Sequence, residues 1–186
     1  MTSKIFKSGI IFIVCACAVL SEQARAQRTV VEEELRFAER NLGGPRLGVT
    51  FVPGNSTLVQ KLKDKNIGTL ISQFGWHFEY QVIPEGGGPS FVIQTIPFIG
   101  GVEYGTIIPS ATLAMGVRLP EGIEIGMGPN ILIGGGGKLA TSLVFAVGKS
   151  INYGGVSIPI NVAVATSRDG NRFSIIFGYA ITSWGK

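Results

Sequence analysis

From Val156 the odd positions read Val156, Ile158, Ile160, Val162 and Val164, and from Phe173 they read Phe173, Ile175, Phe177, Tyr179 and Ile181. The even positions between them are mostly small: Ser157, Ala163, Ala165, Ser174, Gly178, Ala180 and Thr182. A period of two means β-strand, with one bulky apolar face and one small, mildly polar face. The longest aromatic alternation runs over residues 70–82. Phe74, Trp76, Phe78, Tyr80 and Val82 hold its even positions, and Gln73, Gly75, His77, Glu79 and Gln81 its odd ones.

The same pattern predicts strands at 46–52, 70–82, 90–98, 102–119 with a break near Pro109, 123–131, 139–148, 156–166 and 172–182. That is about eight strands, joined by short connections. The fold class expected is all-β: an antiparallel up-and-down β-barrel of about eight strands, with one or two short N-terminal helices. One helix is expected over residues 28–42, where Val31, Leu35, Ala38 and Leu42 recur at roughly helical spacing behind a Glu-rich start. A solvated leader before the fold is the other reading of that segment. The second helix is expected over residues 58–64, capped by Asn55-Ser56-Thr57.

Two turns set a register. Pro120-Glu121-Gly122 reads as a three-residue hairpin turn with Gly122 left-handed. It pairs Leu119 with Ile123, Arg118 with Glu124, Val117 with Ile125, Gly116 with Gly126 and Met115 with Met127, like with like. Asp169-Gly170 reads as a two-residue type I′ turn, pairing Thr166 with Phe173, Ala165 with Ser174, Val164 with Ile175, Val162 with Phe177 and Asn161 with Gly178. Ile99-Gly100-Gly101 gives a looser hairpin.

Either the bulky face meets lipid, or it is the core and the small face meets water. A soluble monomer with the bulky face outward would expose far more apolar surface than is usually tolerated. The small face carries few charges: Glu79, Glu103, Arg118, Glu124 and Arg172 are those within the strands. Arg118 opposite Glu124 suits a pair held inside a barrel; an exposed cross-strand pair is the plainer reading. Gly116, Gly126, Gly128, Ala114, Ala146, Ala163 and Gly178 would underfill an eight-stranded interior. Water, a ligand or a helix would then occupy the room, unless the glycines serve close strand packing. Pro97, Pro109, Pro129 and Pro159 each remove a ladder donor, so bulges are expected beside them.

The start of the chain changes the picture of the whole. Lys4 and Lys7 precede an apolar run to Leu20, and Ala24-Arg25-Ala26 supplies small residues at a cleavage position. This is the layout of a secretory signal peptide over residues 1–26, cleaved after Ala26. A rival reading takes Val14-Cys15-Ala16-Cys17 as a lipoprotein site with a lipid on Cys17. Both cysteines lie in that segment, so the mature chain carries no thiol or disulfide. The three parts expected are the signal at 1–26, a charged amphipathic leader or helix at 27–45, and the barrel at 46–186. Cleavage reduces 16 basic and 12 acidic residues to 13 and 11, and the net charge from +4 to +2. With no basic cluster on any one face, nucleic acid is not an expected partner.

The signal peptide, alternating strands such as QFGWHFEYQ, the Gly-rich turns and the last strand FSIIFGYAITSW resemble those of small bacterial outer-membrane β-barrel proteins. The likeness covers the signal and roughly residues 46–184. It implies an outer-membrane location, with the lipid bilayer and the outer-membrane assembly machinery as partners. That machinery reads an aromatic-ended last strand, a part Trp184 fills, although Gly185-Lys186 follow it. GGPRLGVTF and ISQFGWHFE also look like segments of exported proteins without an established function.

No catalytic constellation is visible. His77 is the single histidine, and a lone histidine is more often structural than a ligand or base. Gly134-Gly135-Gly136-Gly137-Lys138 lacks the Ser/Thr and the strand–loop–helix setting of a phosphate loop. No enzyme activity, metal or cofactor is expected. His77, Glu79, Arg118, Glu124 and Asn161 form the candidate interior polar cluster or ligand site. The role expected is that of an outer-membrane structural, minor pore or adaptor protein. The competing reading is a soluble periplasmic or secreted barrel with the bulky face inward around an apolar or amphipathic ligand. A third is an exported enzyme with its site at His77, Glu79 and Arg118.

Overall fold

The computed structural model describes residues 37–134, 137–153 and 156–182. The signal segment, its cleavage after Ala26, the alternative lipid on Cys17, the first part of the leader and Trp184 lie outside them. The elements in order are β1 (Phe37–Phe51), α1 (Thr57–Lys63), β2 (Leu70–Pro84), β3 (Ser90–Gly100), a 3-10 turn (Val102–Tyr104), β4 (Ile108–Arg118), β5 (Ile123–Ile133), β6 (Leu139–Tyr153), β7 (Val156–Ser167), β8 (Gly170–Gly178) and β9 (Ile181–Thr182). From β1 to β8 each strand pairs antiparallel with the next, and β1 pairs with both β2 and β8, closing the sheet into an eight-stranded barrel. β9 continues β8 in the same register along β1. The helix expected over 28–42 does not hold where it is described. Phe37–Phe51 is strand, and Phe37 to Leu42 pair with Pro84 to Glu79. The barrel therefore begins before residue 46. Once β2 supplied an edge, the alternation of β1 outweighed a weak helical spacing.

The bulky face points outward. Phe74, Trp76, Phe78, Met115, Val117, Ile125, Phe145, Val147, Val162, Ile175 and Phe177 are all exposed on the outside of the strands. Arg46, Thr50, His77, Glu79, Gln81, Gln94, Glu124 and Asn130 are buried within. The reading with the bulky face inward around an apolar ligand is thereby corrected. Tyr80, Tyr153 and Tyr179 are exposed toward the end that holds Phe37 and the tight turns, the placement of an interfacial aromatic belt.

The turn at Pro120-Glu121-Gly122 forms as expected: Met115↔Met127, Gly116↔Gly126, Val117↔Ile125 and Arg118↔Glu124 are paired, and Gly122 has φ 83°. The last hairpin differs. Ser167 pairs with Gly170, Val164 with Phe173 and Val162 with Ile175, so the two-residue turn is Arg168-Asp169 rather than Asp169-Gly170. Sliding each strand by one residue in opposite senses keeps every side chain on its face, so matching by size could not tell the two registers apart. Tertiary contacts favour the observed one: the Asp169 carbonyl accepts from Leu58 N at 2.8 Å, and Lys61 Nζ meets Asp169 Oδ2 at 2.6 Å. The looser hairpin at Ile99-Gly100-Gly101 is in fact a longer connection over 101–107, containing the 3-10 turn, before β4 starts at Ile108.

The prolines are accommodated without bulges. The β2–β3 ladder skips the Pro97 level between Gly75↔Phe98 and Phe78↔Thr95, yet the register is the same on both sides. The β4–β5 ladder skips Pro129 in the same way. Between β8 and β9 the break falls at Tyr179, which lies beside Pro45 and near Pro159. A glycine adjoins each of these gaps, and a Cβ on Gly75 would lie 2.0 Å from the Pro97 carbonyl oxygen. A Cβ on Gly128 would lie 1.9 Å from the Leu113 carbonyl oxygen, and one on Gly44 1.7 Å from that of Tyr179. The small residues therefore permit close strand approach, as one of the two readings held.

α1 is the second expected helix, with Ser56 as its N-cap. It does not enter the barrel. Val52, Val59, Leu62 and Ile67 form a small apolar core with Leu58, Ile71 and Ile108, and this core caps the end that holds the Arg168-Asp169 turn, opposite the Gly122 turn.

Candidate functional site

The period of two that sends aromatic residues outward from β2 sends His77, Glu79 and Gln81 inward. Glu79 pairs in register with Gln94 of β3, and Arg118 of β4 with Glu124 of β5. Four strands thus bring these side chains to one level near the tight-turn end.

Arg118 is the hub. Its Nη1 and Nη2 donate to Glu79 Oε1 and Oε2 at 2.5 and 2.7 Å, a bidentate pair. Nη2 and Nε also donate to Glu124 Oε2 at 2.6 and 3.0 Å. Gln94 Nε2 donates to Glu79 Oε2 at 3.1 Å and to Glu124 Oε1. Gln81 Nε2 donates to Ser90 Oγ at 2.6 Å beside them. His77 Nε2 stands 3.1 Å from Glu79 Oε2. That approach is not aligned as a hydrogen bond, and both ring nitrogens are buried without a partner among the described residues. Both carboxylates are engaged by an arginine and a glutamine, which leaves neither as a free base. Among the described residues no group of three or more His, Cys, Asp or Glu could hold a metal.

Four of the five residues expected here, His77, Glu79, Arg118 and Glu124, are brought together. Asn161 stands apart on β7, opposite Gly148, and lines a cavity of about 60 Å3 with Arg46, Gln94 and Glu124. Arg46 is a residue the sequence reading passed over. It is 2% exposed, and its Nε and Nη1 have no hydrogen-bond partner among the described residues. Its signal was parity: it shares a face with Gly44, Gly48 and Thr50, while Leu47, Val49 and Phe51 face out. Gln94 carries the same signal on β3.

A second polar group lies toward the capped end. Arg172 Nη2 donates to Asn130 Oδ1 at 2.9 Å and to Ser142 Oγ at 2.7 Å. Asn130 Nδ2 donates in turn to Thr112 Oγ1 at 2.9 Å. A second cavity of about 60 Å3 adjoins Arg172. It shares Phe98, Thr112, Val144, Ala163 and Ile176 with the first, so the interior holds two small chambers that meet at a mostly apolar waist.

No family model matches this chain, and no curated protein does. Seven solved chains match it in structure. One is Ail, the attachment invasion locus protein of Yersinia pestis, in complex with the heparin analogue sucrose octasulfate. The identity is 12% and the TM-score 0.43, covering 77% of this chain and 97% of that one. Another is the Yersinia pestis outer membrane protein Ail in a phospholipid bilayer nanodisc, at 11% identity and TM-score 0.46, covering 76% of this chain and 99% of that one.

Proposed function

We propose that this chain is an integral β-barrel of the bacterial outer membrane, with a structural or adaptor role and no catalysis. The observation that carries the reading is the continuous outward array of large apolar side chains around a closed barrel with a polar interior. Only a hydrocarbon solvent makes that arrangement favourable, since water would face a patch far beyond what soluble proteins expose. Barrel closure supplies the second requirement, that backbone groups pair within the protein. The two longest connections, over 52–69 and 101–107, lie at the α1 end; longer loops on the outer side of such barrels support reading that end as external and the end with the Gly122 turn as periplasmic. The Arg118 network fills the lumen at the periplasmic end, and the α1 core covers part of the opposite mouth. This supports a sealed barrel over an open pore, and a reading of His77, Glu79, Arg118 and Glu124 as a floor rather than a ligand site.

The test is fractionation of expressing cells. The mature protein is expected to stay with outer membranes through a carbonate wash and to migrate differently on a gel when boiled. Release into the wash as a soluble monomer would sink the reading.

A further inference from the structure

Among the described strand residues, only two charged side chains share the outward face with the large apolar ones. Glu39 stands near the start of β1. Lys149 interrupts the outer row of β6, which reads Phe145, Val147, Lys149, Ile151 and Tyr153. Lys149 is exposed, and its register neighbours are Ile123 of β5 and Ile160 of β7. The other members of the row and both register neighbours are exposed as well, so the lysine is set in an apolar wall. Among the described residues it forms no ion pair, and Glu121 of the adjoining turn does not reach it.

An unpaired ammonium in such a wall is costly at the bilayer midplane, and the cost becomes small toward the interface. Depth decides which applies. Phe145 lies midway along β6, and Lys149 is four residues nearer the Gly122 end, where Ser150 N donates to the Gly122 carbonyl at 2.8 Å. Strands rise about 3.3 Å per residue and tilt by about 40°, so the Lys149 Cα sits roughly 10 Å from the level of Phe145. An apolar band about 25 Å tall and centred on that level has its edge about 12 Å out. The stem of Lys149 therefore crosses the last of the hydrocarbon, and its ammonium emerges among the headgroups. Tyr153, four residues further on, lies roughly 20 Å out by the same measure, past the band. It is 82% exposed. An ammonium on one side and a phenol on the other thus flank the layer that holds lipid phosphates. A phosphodiester has the opposite charge to Lys149 and oxygens that accept from both groups.

We propose that Lys149 and Tyr153 seat the phosphodiester of one phospholipid in the leaflet on the Gly122 side. The inference rests on the membrane reading above and adds a lipid ligand to it.

The experiment is native mass spectrometry of the full mature chain in a non-ionic detergent, titrated with phosphatidylglycerol. One lipid is expected to be retained ahead of any others. Its affinity is expected to fall at least fivefold in Lys149→Met and at least threefold in Tyr153→Phe. It should stay within twofold of the parent in Lys149→Arg and in Lys138→Met, which removes a lysine at the other end. Heat-modifiable migration establishes that each variant is folded, and Lys149→Gln replaces Lys149→Met if the latter does not fold. Unchanged retention in the Lys149 variant or in Tyr153→Phe overturns the inference and leaves the membrane reading intact. Displacement of the lipid by an equal concentration of inorganic phosphate does the same. A parent that is soluble and monomeric without detergent would instead sink the membrane reading, and this inference with it.

Discussion

Arg118 shows what a single side chain carries in this interior. It is the charged donor that, with Gln94, joins Glu79 to Glu124, and its own side chain is 12% exposed. Removing one member of a buried ion network leaves the others unneutralised, which typically costs about 3–5 kcal/mol. Arg118→Ala is therefore expected to lower unfolding stability in urea by about that amount. Glu79→Gln with Glu124→Gln in the same chain should recover part of the loss, because the stranded charges are then gone. Equal stability in the single and triple variants would show that stranded carboxylates are not the source of the loss. Arg118 and Glu124 were legible as opposed residues because the turn at Gly122 set their register. The link from Arg118 to Glu79 was not, because it crosses an intervening strand, β3, and depends on barrel curvature.

At the scale of elements, alternation predicted nearly every strand, and the departures have identifiable causes. β1 was read too short because Phe37 to Asn41 lie among charged residues, with their partners far along the chain, from Pro84 to Tyr80. The last hairpin was read one step out because its register is held by α1, which no local pattern reveals. The prolines were expected to force bulges, and the ladder instead drops its pairing locally while keeping register. That solution needs the strands to approach closely beside the gaps, which ties glycine to those positions. Gly128→Ala places a methyl group against the Leu113 carbonyl. It is expected to cost about 1–3 kcal/mol, as overpacked sites do, and to reduce the heat-modifiable fraction after refolding. A neutral effect would mean that β4 and β5 have slack at this level.

For the whole molecule, the decisive property is the exchange of inside and outside relative to a water-soluble fold. The sorting was visible in the sequence, but its direction was not, since a period of two is symmetric between the faces. Direction emerges from which face holds the buried Arg46, Glu79 and Glu124. Phe145 lies midway along β6 and faces out. Phe145→Arg is expected to cost about 2–4 kcal/mol in unfolding from liposomes, the range for a basic residue at the midplane of a barrel wall. Ala146→Ser, one residue on and facing in, should change stability little. If both substitutions cost the same, the outward face does not meet lipid.

β1 is joined to β2 along its full length from Phe37 to Phe51, but to β8 only from Arg46 to Phe51, with a short continuation through β9. The seam where the first strand meets the last two is thus the shorter of the two that β1 makes. α1, translated early, is fastened across that seam to Asp169, 108 residues after Lys61. Its clasp cannot form until the final hairpin has arrived. The cap thereby acts as a latch that records completion: a barrel still waiting for its last strands keeps its mouth unfastened, and one that has closed locks it.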